Sequence, residues 1–204
     1  MSSLKGGTGK TTSAVCLSLG LARRGHRVLL VDSDGEQQSS LKWSERAESW
    51  PTEQVTVIAW SGRDLGRRIR AVADDYDSVI VDTGPSNRAV LAGALGATGR
   101  LLVPCGPRSL DVAELRATLD IASEVDQVTP VFMNVLLTMV RLGTRSADDV
   151  RDVLETDLGY PLLKSVVPLR ETYAHMFAST PDNLGAYDDV LEELLADDTE
   201  TVRA

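Results

Sequence analysis

Lys5-Gly6-Gly7-Thr8-Gly9-Lys10-Thr11-Thr12 is the stretch on which the fold of this chain turns. Its glycines leave room for backbone N–H groups to converge on a bound anion where a Cβ would intrude. A helical pattern starts near Lys10, and its positive end would add to the same place. Lys10 can then meet the outer phosphates of a nucleotide as a point charge, and the Thr11 hydroxyl can ligate Mg2+. Gly6, Gly7, Thr8, Gly9, Lys10, Thr11 and Thr12 are therefore the expected phosphate contacts. The common loop pattern G-x-x-x-x-G-K-[ST] asks for glycine at position 4, where this chain has Leu4.

Outward from this loop, short apolar runs alternate with amphipathic stretches. The runs are Arg27 to Val31, Val55 to Trp60, Ser78 to Val81, Leu101 to Val103, Val131 to Leu136, and Val166-Val167. Unbroken rather than alternating apolar runs are what strands covered on both faces look like. Between them, helices are predicted over Thr11 to Arg24, Asp64 to Asp74, Leu110 to Val125 and Ser146 to Thr156. The first ends at Gly25, a natural C-terminal cap. A last helix begins near Asn183 with an apolar face of Tyr187, Val190, Leu191, Leu194 and Leu195. The alternation predicts an α/β fold, a mostly parallel twisted sheet with helices on both faces. We expect one domain over residues 1–196 and a disordered acidic tail over 197–204. A phosphate loop of this kind follows a buried strand, yet only Met1 to Leu4 precede Lys5. The first strand is expected to be short or truncated.

Composition narrows the function classes. Hydrophobic residues make up 43% of the 204 residues and aromatics 4%, so an aliphatic core is expected. Cys16 and Cys105 are the only cysteines, which excludes a disulfide framework and suggests a reducing compartment. No run reaches the ~20 apolar residues that cross a bilayer. The N-terminus lacks a signal-peptide pattern, and a cytoplasmic location is expected. The net charge of −9 argues weakly against a dedicated nucleic-acid protein. His26 and His175 have no cysteine company, so no site for a transition metal is indicated.

Two strand-end aspartate motifs accompany the loop. Val28-Leu29-Leu30-Val31-Asp32-Ser33-Asp34 closes one run, and Ser78-Val79-Ile80-Val81-Asp82-Thr83-Gly84-Pro85 spans another. A carboxylate ending a buried strand beside a phosphate loop can hold Mg2+ through water, which makes Asp82 and Thr11 the expected metal ligands. With these motifs the chain resembles the ParA/MinD family of deviant Walker ATPases, whose loop reads K-G-G-x-G-K-T-[ST]. Compact length and Arg170-Glu171-Thr172-Tyr173 make it most similar to the small ParA-type, ParF-like partition proteins. The family's second motif continues D-x-D-P-Q, whereas Gly35 and Glu36 stand here.

The resemblance implies ATP and Mg2+ as cofactors and slow, partner-stimulated ATP hydrolysis. It makes Lys5 the signature lysine that reaches a partner subunit's nucleotide, and gives Lys5, Lys10 and Asp32 catalytic roles, Asp32 orienting water or the Mg2+ shell. Asn134 would contact adenine, and the turn Val167-Pro168-Leu169-Arg170 would cover it. It further implies an ATP-bound homodimer, a ParB-like centromere-binding adaptor, non-specific DNA as a possible partner that would put the protein at the nucleoid, and no membrane. The basic segment Arg63, Arg67, Arg68 and Arg70 is a candidate DNA face, with a solvated helix face as the plainer reading. Plasmid or chromosome partition is thus the expected function. A MinD-like positioning ATPase would call for a basic amphipathic C-terminal helix, where Asp197-Asp198-Thr199-Glu200 is acidic. A metabolic ATP-dependent ligase of the same superfamily would call for a substrate pocket.

Overall fold

The computed structural model describes residues 1–3, 6–85 and 87–201, the side chains of 145–147 and 198–201 excepted. Leu4, Lys5, Ser86 and 202–204 lie outside the described residues. In chain order the elements are α1 (Lys10–Arg23), β1 (Val28–Asp32), α2 (Ser39–Arg46), β2 (Val55–Ala59), α3 (Leu65–Val72), β3 (Ser78–Asp82) and α4 (Arg88–Thr98). They continue with β4 (Arg100–Cys105), α5 (Ser109–Asp126), β5 (Phe132–Val140), α6 (Arg145–Asp152), β6 (Leu162–Pro168), α7 (Glu171–Ala174) and α8 (Ala186–Thr201).

Among the described residues the strands pair in parallel. They form two three-stranded sheets, β2-β1-β3 and β4-β5-β6. Helices cover both faces, and β1 shows why its run is unbroken. Val28 and Leu30 enter the cluster beneath α1 and α8, whereas Leu29 and Val31 enter the one beneath α3 and α4. Successive side chains point to opposite faces of a strand, so a strand with helices on both sides needs apolar residues throughout.

Between the two sheets lies the start of the chain. Thr83 N–H donates to Met1 O at 3.2 Å and Ser2 N–H to Leu102 O at 3.1 Å, so Met1 and Ser2 touch both sheets. Among the described residues, the expected short first strand is represented by these backbone contacts.

α2, α4 and the four-residue α7 were not visible in the sequence pattern. α4, Arg-Ala-Val-Leu-Ala-Gly-Ala-Leu-Gly-Ala-Thr, carries glycines that lower its intrinsic helicity. Its caps and packing compensate. The Asn87 side chain accepts from Val90 N–H, and Gly99 closes the other end in the left-handed region at φ 64°. A Cβ at Gly66 would overlap the Gly93 carbonyl oxygen, so glycine lets α3 and α4 approach closely. α2 buries little besides Ser40 and Trp43, which left its sequence mostly polar.

α8 also departs from expectation, because it remains helical past Ala196 as far as Thr201. Tyr187, Val190, Leu191 and Leu194 are buried, and Asn134 Nδ2 reaches Asp197 Oδ2 at 3.5 Å. That docking carries the helix through residues whose composition alone reads as a tail.

Candidate nucleotide site

The loop before α1 takes the shape its glycines permit. Gly7 and Gly9 have φ of 77° and 85°, in the left-handed region that favours glycine. Gly9 is the N-cap of α1 and supplies no side chain, so the first turn presents its N–H groups to whatever lies in front of it. Thr138 Oγ1 on β5 donates to the Thr8 carbonyl at 3.0 Å and tethers the loop to the second sheet.

A cavity of about 480 Å³ opens in front of this turn, lined by Gly6, Gly7, Gly9, Lys10, Thr11 and Thr12 together with Asp34, Asp82 and Thr83. Thr8 is buried beside them without lining the cavity. Lys10 is also buried, and burial lowers its ammonium from the usual range while Asp82 and Asp34 oppose the shift. A desolvated cation beside open N–H groups is suited to a polyanion.

Asp82 ends β3 beneath the loop. Its Oδ2 accepts from Thr11 Oγ1 at 2.8 Å and from Ser40 Oγ at 2.7 Å. Its Oδ1 is buried and has no hydrogen-bond partner among the described residues, and the same holds for Thr8 Oγ1. Burial pushes the Asp82 carboxyl above the usual carboxylate range, against the pull of the two hydroxyls. A hydroxyl and a carboxylate with an orphaned oxygen are hard donors that fit Mg2+, which takes few protein ligands and completes its shell with phosphate and water. Thr11 and Asp82 would hold that cation.

The aspartate that ends β1 and the one two residues on are placed differently with respect to the cavity. Asp32 is 1% exposed and does not line the cavity. Its Oδ1 accepts from Asp34 N–H and its Oδ2 from Leu41 N–H, both at 3.1 Å, so it anchors the turn into α2. Burial raises its carboxyl while those amides oppose the shift. Asp34 is the one that faces the cavity, its Oδ1 accepting from Glu36 and Gln37 N–H at 3.0 Å each. An ideal Cβ on Gly84 would sit 3.0 Å from Asp34 Cγ, so glycine allows the turn after β3 to close against Asp34.

Asn134 is not part of this arrangement. It sits in the amino half of β5, paired with Leu102, and bonds to Asp197. The residue of β5 that reaches the cavity is Met139, about 16 Å further along at ~3.3 Å per residue. Met139 has φ 57° next to a register shift between β5 and β6, which no periodicity in the run revealed. The Val167–Arg170 turn does not line the cavity either. Sequence reading also missed Gln37, Ser39 and Ser40. The polar cluster Glu36 to Ser40 was the available signal, since it directly follows the second aspartate. Lys5 lies outside the described residues.

Elsewhere the basic segment is largely engaged locally. Asp64 Oδ2 meets Arg67 at 3.0 Å and Arg68 at 2.8 Å, and Arg70 donates to Gly96 O. Cys16 and Cys105 are buried, and burial pushes the Cys16 thiol up to about 12, which suits a small core residue rather than a nucleophile. No described helix is long and apolar enough to cross a membrane.

Comparison with known proteins agrees with this geometry. Residues 1–180 match the CobQ/CobB/MinD/ParA nucleotide binding domain, and the chain belongs to that family. It is a P-loop ATPase. It is 27% identical to the maintenance of carboxysome distribution protein A of Synechococcus elongatus, over 81% of this chain and 83% of that protein. It is 28% identical to the chromosome-partitioning ATPase Soj of Thermus thermophilus, over 94% and 92%. Among solved structures it is similar to cobyrinic acid a,c-diamide synthase of Mycobacterium smegmatis with bound ATP analogue and magnesium. That match has TM-score 0.74 and 22% identity, over 95% of this chain and 92% of the other, and it speaks to the fold.

Proposed function

We propose that the chain is a partition or positioning switch: ATP favours a dimer that associates with DNA, and hydrolysis releases it. The observation that carries this reading is the cluster of Lys10, Thr11, Asp34 and Asp82 around one cavity at the start of α1. Phosphoryl transfer to water needs charge neutralised on the outer phosphate and a nucleophile held in line. Lys10 and the N–H groups of the first turn supply the neutralisation, and Thr11 with Asp82 would hold Mg2+, which would add positive charge beside the phosphate. Asp34, the carboxylate facing the cavity, orients water, a role first expected of Asp32. The likeness to Soj and to a carboxysome distribution protein supports cargo segregation or spacing as the output. An adaptor protein that speeds hydrolysis fits the same scheme.

The test is retention of the protein on non-specific DNA with ATP, ADP or no nucleotide, alongside its sedimentation. Dimerisation and DNA retention that require ATP are expected. Retention indifferent to nucleotide contradicts the switch. Lys5→Ala is expected to spare ATP binding while blocking dimerisation and hydrolysis, and hydrolysis equal to that of the unaltered protein removes the case for a shared site.

A further inference from the structure

β5 leaves its regular pairing where it passes the phosphate loop. Thr138 lies opposite Val167 of β6 and Val140 opposite Pro168, so Met139 is one residue more than β6 can match. Its φ of 57° puts that extra residue in the left-handed region. Bulges of this kind bend a strand and re-aim the side chains next to them. Here Met139 lines the nucleotide cavity, and the neighbouring Thr138, 2% exposed, meets the loop.

Thr138 holds one peptide of that loop at both ends. Its Oγ1 donates to the Thr8 carbonyl at 3.0 Å, and its Cγ2 lies 3.9 Å from the position a Cβ on Gly9 would take. The Thr8 hydroxyl has no hydrogen-bond partner among the described residues, so the side-chain hold on Thr8 comes from β5. The Thr8 carbonyl and the Gly9 N–H belong to one planar trans unit and point in opposite directions. Gly9 lines the cavity and Thr138 does not, so a carbonyl held by Thr138 leaves the N–H directed toward the cavity. Glycine adopts positive and negative φ about equally readily, so an unrestrained Thr8–Gly9 peptide can turn over. Turned over, it would offer an anion a carbonyl oxygen in place of a donor.

We infer that Thr138 is a positioning residue for the phosphate loop: its hydroxyl fixes the Thr8–Gly9 peptide with the Gly9 N–H aimed at bound phosphate. The inference rests on reading the cavity as a nucleotide site. A donor ordered before the ligand arrives gives tighter binding than one that must be ordered on binding.

The test uses calorimetry with Mg2+-ADP and with Mg2+-pyrophosphate, which shares the diphosphate and lacks the nucleoside. Each is titrated into the unaltered protein, Thr138→Val and Thr138→Ser. Valine keeps the shape and loses the donor, whereas serine keeps the donor. Thr138→Val is expected to weaken both ligands by about tenfold, the scale of one charge-assisted hydrogen bond, and Thr138→Ser to stay within about twofold of the unaltered protein. Should the valine variant not fold, Thr138→Cys, whose thiol is a weak donor, is expected to bind both ligands less tightly than Thr138→Ser. Equal affinities of those two variants overturn the inference. So does a serine variant no better than valine, or a valine variant whose Tm falls while both affinities are kept. Weakened ADP with unchanged pyrophosphate puts Thr138 on the nucleoside and overturns it too. If the unaltered protein binds neither ligand, the nucleotide reading itself has failed, and the inference with it.

Discussion

The carboxyl ends of β1 and β3 and the amino half of β5 make an instructive pair. At the first, residues from the loop, from β3 and from the turn after β1 converge within hydrogen-bond distance: Thr11 on Asp82, Ser40 on Asp82, Ser33 N–H on Asp82 O. At the second, Asn134 bonds to α8 and contributes nothing to the cavity. Both positions are polar residues in an apolar strand run, and only Asp82 lines the cavity. What separates them is direction. In parallel sheets the ligand sits beyond the carboxyl ends of the strands, so a polar residue near the start of a strand faces the wrong end.

That contrast can be broken by mutation. The largest effect is expected at Asp34. Asp34→Ala should lower ATP turnover by about 10²- to 10⁴-fold, the range for loss of a group that positions water or takes its proton, with ATP affinity nearly kept. Turnover within a few-fold of the unaltered protein would move the role back to Asp32. Next, Lys10→Ala should weaken ATP binding by about 100-fold, in line with one lost charge-assisted contact worth ~2.7 kcal/mol. Equilibrium binding checks it. Asp32→Ala should act on the fold instead, costing about 1–3 kcal/mol because the buried N–H groups of Asp34 and Leu41 lose their acceptor. Urea unfolding measures that cost. Asn134→Ala should leave ATP affinity unchanged, and a clear loss would restore it to the base site.

A pH titration sharpens the same comparison. Burial holds the Asp82 and Asp32 carboxyls above their usual 3.8 in the nucleotide-free protein. Between 3.8 and the raised values the native state binds more protons than the unfolded chain. The stability these groups contribute is therefore fully present below 3.8 and is lost as pH rises through the folded values. Mg2+ requires ionised Asp82, so Mg2+-ATP should stabilise the protein increasingly as pH rises across that window. Thermal unfolding of the unaltered protein and of Asp82→Asn, with and without Mg2+-ATP, should show the apo slope flattened in the variant. Equal slopes would mean that Asp82 does not titrate as described.

Much of the phosphate end was legible in the sequence because its physics is local. Gly7 and Gly9 need their backbone freedom, Lys10 and Thr11 sit in the turn that uses them, and Asp82 closes an unmistakable buried run. The alternation of runs and amphipathic stretches likewise gave the parallel α/β architecture. What stayed hidden depends on contacts between distant segments. α4 packs closely because Gly66 lets two helices touch, Met139 reaches the cavity beside a register shift, and Asp34 faces the cavity next to a turn after β3 that closes against it at Gly84. No single-segment pattern encodes those.

Titration of ATP into the folded protein by calorimetry, with Mg2+ present, tests the central claim most directly. Saturable uptake that Lys10→Ala weakens by about 100-fold, and that also weakens without Mg2+, is predicted. The absence of any binding heat from protein whose thermal transition shows it to be folded would contradict the account.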